Sequence, residues 1–150
     1  MNKAVRLRCE YVHNPVGVQT RAPRFSRELR SEERGRRQAA YRIFVSESEE
    51  STLAGIGDWW DSGRVESAET FHIAYAGRPL VSGQRCYWTV RCWDRDGRLY
   101  EADAAASFDM GILRPEEWTA QWIGAAAHSA KDSEPFSRFQ RAVLSKFRIM

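Results

Sequence analysis

The chain has 150 residues, 43% of them hydrophobic and 12% aromatic, and a formal net charge of +3 from 23 basic and 20 acidic side chains. This is length for one ordinary domain plus a fragment of a second, and enough apolar content to exclude wholesale disorder. Eight arginines fall between Arg21 and Arg42, but Glu28, Glu32 and Glu33 interleave with them. The cluster therefore reads as a solvated mixed-charge surface, and nucleic acid is not an expected partner.

The opening MNKAVRLRCEY has no apolar run long enough for a signal peptide, and no segment approaches a membrane span. The cysteine count is odd (Cys9, Cys86, Cys92), unlike a secreted disulfide framework. Both observations favour a reducing, cytoplasmic setting with no membrane partner.

Period-two alternation recurs along the chain. In VRLRCEY, Val5, Leu7, Cys9 and Tyr11 share one face and Arg6, Arg8 and Glu10 the other. HNPVGVQTRAP supplies turn residues, and residues 23–29 form a second strand with Phe25 and Leu29 on one face. After a polar connection with Gly35 as its tight point, residues 38–46 set Tyr41, Ile43 and Val45 against Arg42 and Phe44. ESEESTLAGIGD has room for one or two helical turns, with its acidic residues at the positive end. Residues 60–65 and 70–75 read as short strands, the second placing Phe71, Ile73 and Tyr75 together. Residues 86–93 are the clearest strand, DRDG is the hairpin turn that follows, and a weaker strand runs to about Asp109. About seven strands with turns between them predict an all-β sandwich over residues 1–112. Residues 113–134 read as a linker, and 135–150 as the truncated first strand of a following β-domain.

No catalytic, cofactor-binding or metal-binding set emerges from the residues. Cys86 and Cys92 lie on one strand about 20 Å apart at ~3.3 Å per residue, too far for a disulfide or for one zinc ion. Sharing their face with Trp88 and Val90, they read as small core hydrophobes. Asp94, Asp96 and Gly97 lack the later ligands of a calcium loop and read as a turn. Asp61 before Ser-Gly caps another turn, rather than joining Asp58 as a glycosidase carboxylate pair. His13, His72 and His128 stand alone. Tyr87 and Trp93 share the outer face of the 86–93 strand and form the candidate, weak sugar contact. Trp118 and Trp122 are the candidate domain-interface anchors.

The strings PRFSRELRSEERGRRQAAYRIFVSES, DWWDSGRVES, YAGRPLVSGQRCYWTVRCWDRDG, SFDMGIL and WTAQWIG, in that order, resemble the N-terminal region of bacterial α-L-rhamnosidases of glycoside hydrolase family 78. The resemblance runs from about Leu7 to Gly124. It implies a fibronectin type III-like or immunoglobulin-like sandwich that is a structural, domain-packing module. Downstream in such enzymes come a carbohydrate-binding β-domain and an α/α barrel, and the barrel's carboxyl groups remove terminal α-L-rhamnose with inversion. No catalytic residue transfers to this chain, which is expected to be inactive alone. A free-standing binding module for carbohydrate or an anionic polymer is the alternative.

Three positions depart from the family pattern. Arg27 stands where SWxL has tryptophan, Cys86 where type III sandwiches place the tyrosine of the tyrosine corner, and Ala102 where a tryptophan commonly precedes the final strand. An unpaired buried arginine costs several kcal/mol, so Arg27 is expected at the sandwich rim or paired with a carboxylate. Losing buried aromatics costs about 3–5 kcal/mol each unless neighbours refill the space, so a weakly stable domain is expected.

Overall fold

A computed structural model describes residues 2–121, and the compact unit they build runs to Trp118. Nine strands form: β1 (Lys3–Cys9), β2 (Val16–Val18), β3 (Arg24–Arg30), β4 (Gln38–Ser46), β5 (Trp60–Asp61), β6 (Ile73–Ala74), β7 (Arg85–Asp94), β8 (Leu99–Glu101) and β9 (Ala106–Met110). One helical turn, α1 (Glu49–Leu53), follows β4. Ser48 caps it by accepting the Ser51 N–H, and Glu49 and Glu50 occupy its first turn.

The long strands dictate the architecture. β7 pairs antiparallel with β4 on one side, in a register that sets Ile43 opposite Val90 and Val45 opposite Trp88. Its other side is shared, the first half pairing with β9 and the second half with β8. β5 extends this layer beyond β4, and β2 extends it beyond β9 in parallel. The second layer is β1–β3–β6, all antiparallel. A single parallel bridge from Lys3 to Glu101 joins the layers at one edge, leaving an open two-layer sandwich. This is the all-β architecture expected.

Alternate residues of the two layers meet in one core. Phe25 of β3 touches Trp88 of β7 and Phe108 of β9, with ring centroids at 4.5 and 5.7 Å. All three rings are fully buried, each contributing about 1.5–3 kcal/mol of apolar transfer. Outside this core, Phe44 is also buried, because the Arg42 and Arg91 guanidinium groups lie over its ring at 5.0 and 5.3 Å.

Several local expectations give way to turn chemistry. β2 forms inside the stretch read as turn, because Gly111 N–H donates to Val18 O and Asp109 N–H to Pro15 O. In β1 the register slips between Val5 and Arg8, with Arg6 left-handed at φ 50°. That bulge buries Ala4 in place of Val5, and the left-handed Glu10 and Tyr11 turn the Tyr11 ring out to solvent. The strand expected over 60–65 stops at Asp61, whose carboxylate accepts the N–H of the left-handed Gly63 and closes a turn. Only a bridge between Tyr41 and Val65 resumes the pairing. The strand expected over 70–75 shrinks to Ile73–Ala74, because His72 is left-handed. Phe71 is consequently exposed rather than grouped with the buried Ile73 and Tyr75.

Candidate functional site

The thiols belong to the core. Cys9, Cys86 and Cys92 are free and fully buried. Burial, reinforced by the nearby Glu10 carboxylate and the Cys86 thiol, pushes the Cys9 pKa up to about 12. Burial does the same to Cys86, again to about 12, with Asp109 and Glu47 adding to it. Cys92 is raised by burial against the opposing charge of Arg27. Groups held this firmly neutral are poor nucleophiles and poor metal ligands. Among the described residues, no three His, Cys, Asp or Glu side chains gather in a cluster able to hold a metal ion.

Arg27 corrects an expectation. It reaches neither the rim nor a carboxylate, and is 3% exposed. Its Nη2 donates to Gln38 Oε1 at 2.8 Å and to the Glu69 carbonyl at 2.9 Å, while the guanidinium lies 4.6 Å from the Tyr41 ring centroid. Gln38 is itself held by donating Nε2 to the carbonyls of Ser67 and Glu69. The 67–69 backbone thus supplies acceptors, directly and through Gln38, for the donor-rich side chain that stands where the family pattern has tryptophan. Nε and Nη1 of Arg27 have no hydrogen-bond partner.

Cys86 is a fully buried core thiol, and near it another tyrosine hydroxyl bonds the backbone. The Tyr75 hydroxyl donates to the Arg78 carbonyl at 2.7 Å and lies 3.3 Å from that of Trp59. Burial, with Cys86 close by, pushes its pKa up to about 12. Ala102 is partly buried and packs on the core.

Both loops suspected of chemistry are turns. Asp94 Oδ1 accepts the N–H groups of Asp96 and Arg98, each at 2.9 Å, and Gly97 is left-handed at φ 77°. Burial alone would raise the Asp94 pKa, but those N–H groups, the Tyr100 hydroxyl and the charge of Arg36 hold it below the usual carboxylate range. Asp61 pairs with Arg42 through two hydrogen bonds, which hold its pKa low, and shares no partner with Asp58.

Tyr87 and Trp93 are both half-buried on the outer face of β7. Six positions separate them, about 20 Å along the strand, so they do not form one platform. Arg64 covers the Trp93 ring at 4.7 Å. Within the arginine-rich stretch, Arg24 pairs with Glu10, Arg36 with Glu33 and Asp96, and Arg42 with Asp61.

Trp118 sits at the end of the described unit and is 65% exposed. A short 3-10 turn over Pro115–Glu117 places it there, and the Ser82 hydroxyl ties that turn down by accepting from Leu113 N–H and bonding Glu117. Gln19, Ile112, Leu113, Arg114, Pro115 and Trp118 line a groove of about 570 Å³. The apolar Ile112–Leu113 pair is the sequence signal for this groove that attention to Trp118 alone passes over. Trp122, the second expected anchor, lies outside the described residues, as does His128.

With this geometry in place, comparison with known proteins is specific. The family described as "Rha78A-like, N-terminal immunoglobulin domain" matches residues 4–114. An α-L-rhamnosidase of Streptomyces avermitilis is 40% identical over 120 residues, covering 79% of this chain and 11% of the relative. One from Formosa agariphila is 37% identical over 111 residues, 74% of this chain and 12% of the relative. Among solved structures, the S. avermitilis α-L-rhamnosidase complexed with L-rhamnose superposes with a TM-score of 0.77 at 37% identity, over 85% of this chain and 12% of that one. The enzyme from Dictyoglumus thermophilum gives 0.74 at 37% identity, over 84% and 14%. The chain thus spans roughly an eighth of the length of the proteins it resembles. It belongs to the immunoglobulin-like N-terminal domains of the α-L-rhamnosidase family.

Proposed function

We propose that the domain is a non-catalytic packing module of an α-L-rhamnosidase-like glycoside hydrolase, whose activity on terminal α-L-rhamnose resides in downstream domains. The supporting observation is the groove at Ile112, Leu113 and Trp118, an open, largely apolar surface at the end of the sandwich, in a chain that covers only 11% of the length of a relative. A large exposed tryptophan beside two aliphatic residues is the composition of an interface anchor. The relatives' length supplies its occupant, a following domain of the same polypeptide. In this reading, residues after about 112 connect the sandwich to a β-domain, and an α/α barrel holds the acid and base carboxyls.

The test compares this chain with a longer polypeptide carrying the following domains, each with and without Trp118→Ala. The isolated chain should unfold at an unchanged midpoint, while the longer protein should lose thermal stability and become susceptible to proteolysis near residue 118. Hydrolysis of an aryl rhamnoside by the isolated chain would overturn the reading, as would an unchanged longer protein.

A further inference from the structure

On the outer face of the β1–β3 layer lies a second groove, of about 300 Å³, lined by Arg6, Arg8, Ser26, Arg27 and Glu28 on the strands and by Tyr11, Thr70, Phe71 and His72 beside them. Its size is at the lower end of ligand pockets, about that needed for one ring. We propose that this groove binds a carboxylate-bearing sugar residue, with the carboxylate on Arg8 and the ring face on Phe71.

The charge balance favours an anion. Arg6 is neutralised by Glu28, through contacts of 3.1 and 3.2 Å. Arg8 is exposed and takes part in none of the ion pairs found among the described residues. Arg27 adds a buried positive charge behind the groove, bonded only to neutral acceptors and with two N–H-bearing nitrogens unpartnered. A cation in a low-dielectric wall acts at longer range than one in water.

The aromatic side chains demand a ring or apolar face. Phe71 is 60% exposed; Tyr11 is 55% exposed but carries the Arg24 guanidinium over its ring at 5.2 Å, and His72 stands edge-on to both, its ring centroid 5.4 Å from that of Tyr11 and 5.0 Å from that of Phe71. Tyr11 Oη and His72 Nε2 share a 2.5 Å hydrogen bond that locks the two loops together. Holding these rings outward takes strained backbone, because Arg6, Glu10, Tyr11 and His72 are four of the five left-handed non-glycine residues described. Such conformations are sparsely populated and gather at functional surfaces. Exposed rings alternating with a planar Arg–Glu pair, a hydroxyl and an imidazole suit a ligand that carries hydroxyls as well as an apolar face. This surface shares no residue with the Trp118 groove, so the inference does not depend on the packing role.

The experiment is a two-dimensional NMR titration of the whole chain with a trigalacturonate, a neutral galactose trisaccharide, sodium phosphate and a Glu-rich peptide. The proposal expects shifts at Arg8, Tyr11, Phe71 and His72 with the uronate, and at least about tenfold weaker binding of the neutral sugar and of phosphate. Arg8→Gln should weaken uronate binding by about tenfold, and Phe71→Ala should weaken acidic and neutral sugars alike. Both side chains are exposed, so the unchanged remainder of each spectrum shows that the variant is folded. Equal binding of acidic and neutral sugars, an unaffected Arg8→Gln variant, no shift at these residues, or tighter binding of phosphate or the peptide would each overturn it.

Discussion

Arg27 donates to Gln38 Oε1 at 2.8 Å inside a sandwich where both side chains are buried, and no carboxylate neutralises the guanidinium. The asymmetry of such a pair is testable. Gln38→Leu leaves the cation without its side-chain acceptor and frees the carbonyls of Ser67 and Glu69, and should cost about 3 kcal/mol. Arg27→Leu removes the charge together with its need for acceptors and should be far milder. Urea unfolding midpoints of the two variants should separate clearly, Gln38→Leu being the lower.

The three buried thiols make stability fall on the alkaline side. Their folded pKa values are raised, to about 12 for Cys9 and Cys86, above the ~8.5 of an unfolded cysteine. The stabilisation is therefore complete below about pH 8.5 and is lost as pH climbs towards the folded values. Denaturation curves between about pH 8 and 10 should show this loss, and Cys9→Ala combined with Cys86→Ala should flatten it. At neutral pH, native protein should react with a thiol reagent only as fast as it opens, and all three cysteines should react at once in denaturant.

Acid acts through Asp94. Its folded pKa lies below the ordinary value of about 3.9, so its contribution is present above that value and disappears as pH drops through the folded one. Asp94→Asn keeps an oxygen for the turn N–H groups but cannot titrate. The variant should be less stable than the parent at pH 7 and should lose less stability between about pH 5 and 3.

Gly77 is required by space. A Cβ there would lie 2.4 Å from the Trp59 carbonyl oxygen and 2.4 Å from the Trp60 Cβ. Gly77→Ala must push the 59–60 segment outward, separating Trp60 from Tyr75, whose rings now sit at 5.4 Å. A cost of about 1–3 kcal/mol is expected, with a change in tryptophan fluorescence before global unfolding.

β4 and β7 were legible because each is long and sets apolar side chains at alternate positions (Tyr41, Ile43 and Val45; Cys86, Trp88, Val90 and Cys92), and their observed bounds, Gln38–Ser46 and Arg85–Asp94, match or lie within a residue of the expected ones. The Asp94 and Asp61 turns were legible for a related reason, since an aspartate ahead of glycine bonds its own backbone whatever surrounds it. The burial of Cys86 and Cys92 followed from their register alone. Around the Trp118 groove, position 118 stood out in the chain, but the contribution of Ile112 and Leu113 depended on how the 3-10 turn folds back.

What the amino-acid order determined by itself was therefore the period of each strand, the turns that separate them and the family pattern they compose. The tertiary structure alone decided where that period breaks: left-handed Arg6 shifts the register and buries Ala4, left-handed His72 exposes Phe71, and left-handed Glu10 and Tyr11 expose Tyr11. It also decided that Arg27 lies inside, because its acceptors come from Gln38 and Glu69, 11 and 42 residues away. The physical reason is common to both cases. Alternation and turn formation are energies of neighbouring residues, whereas a strained backbone or a buried charge is tolerated only when distant segments provide its compensation.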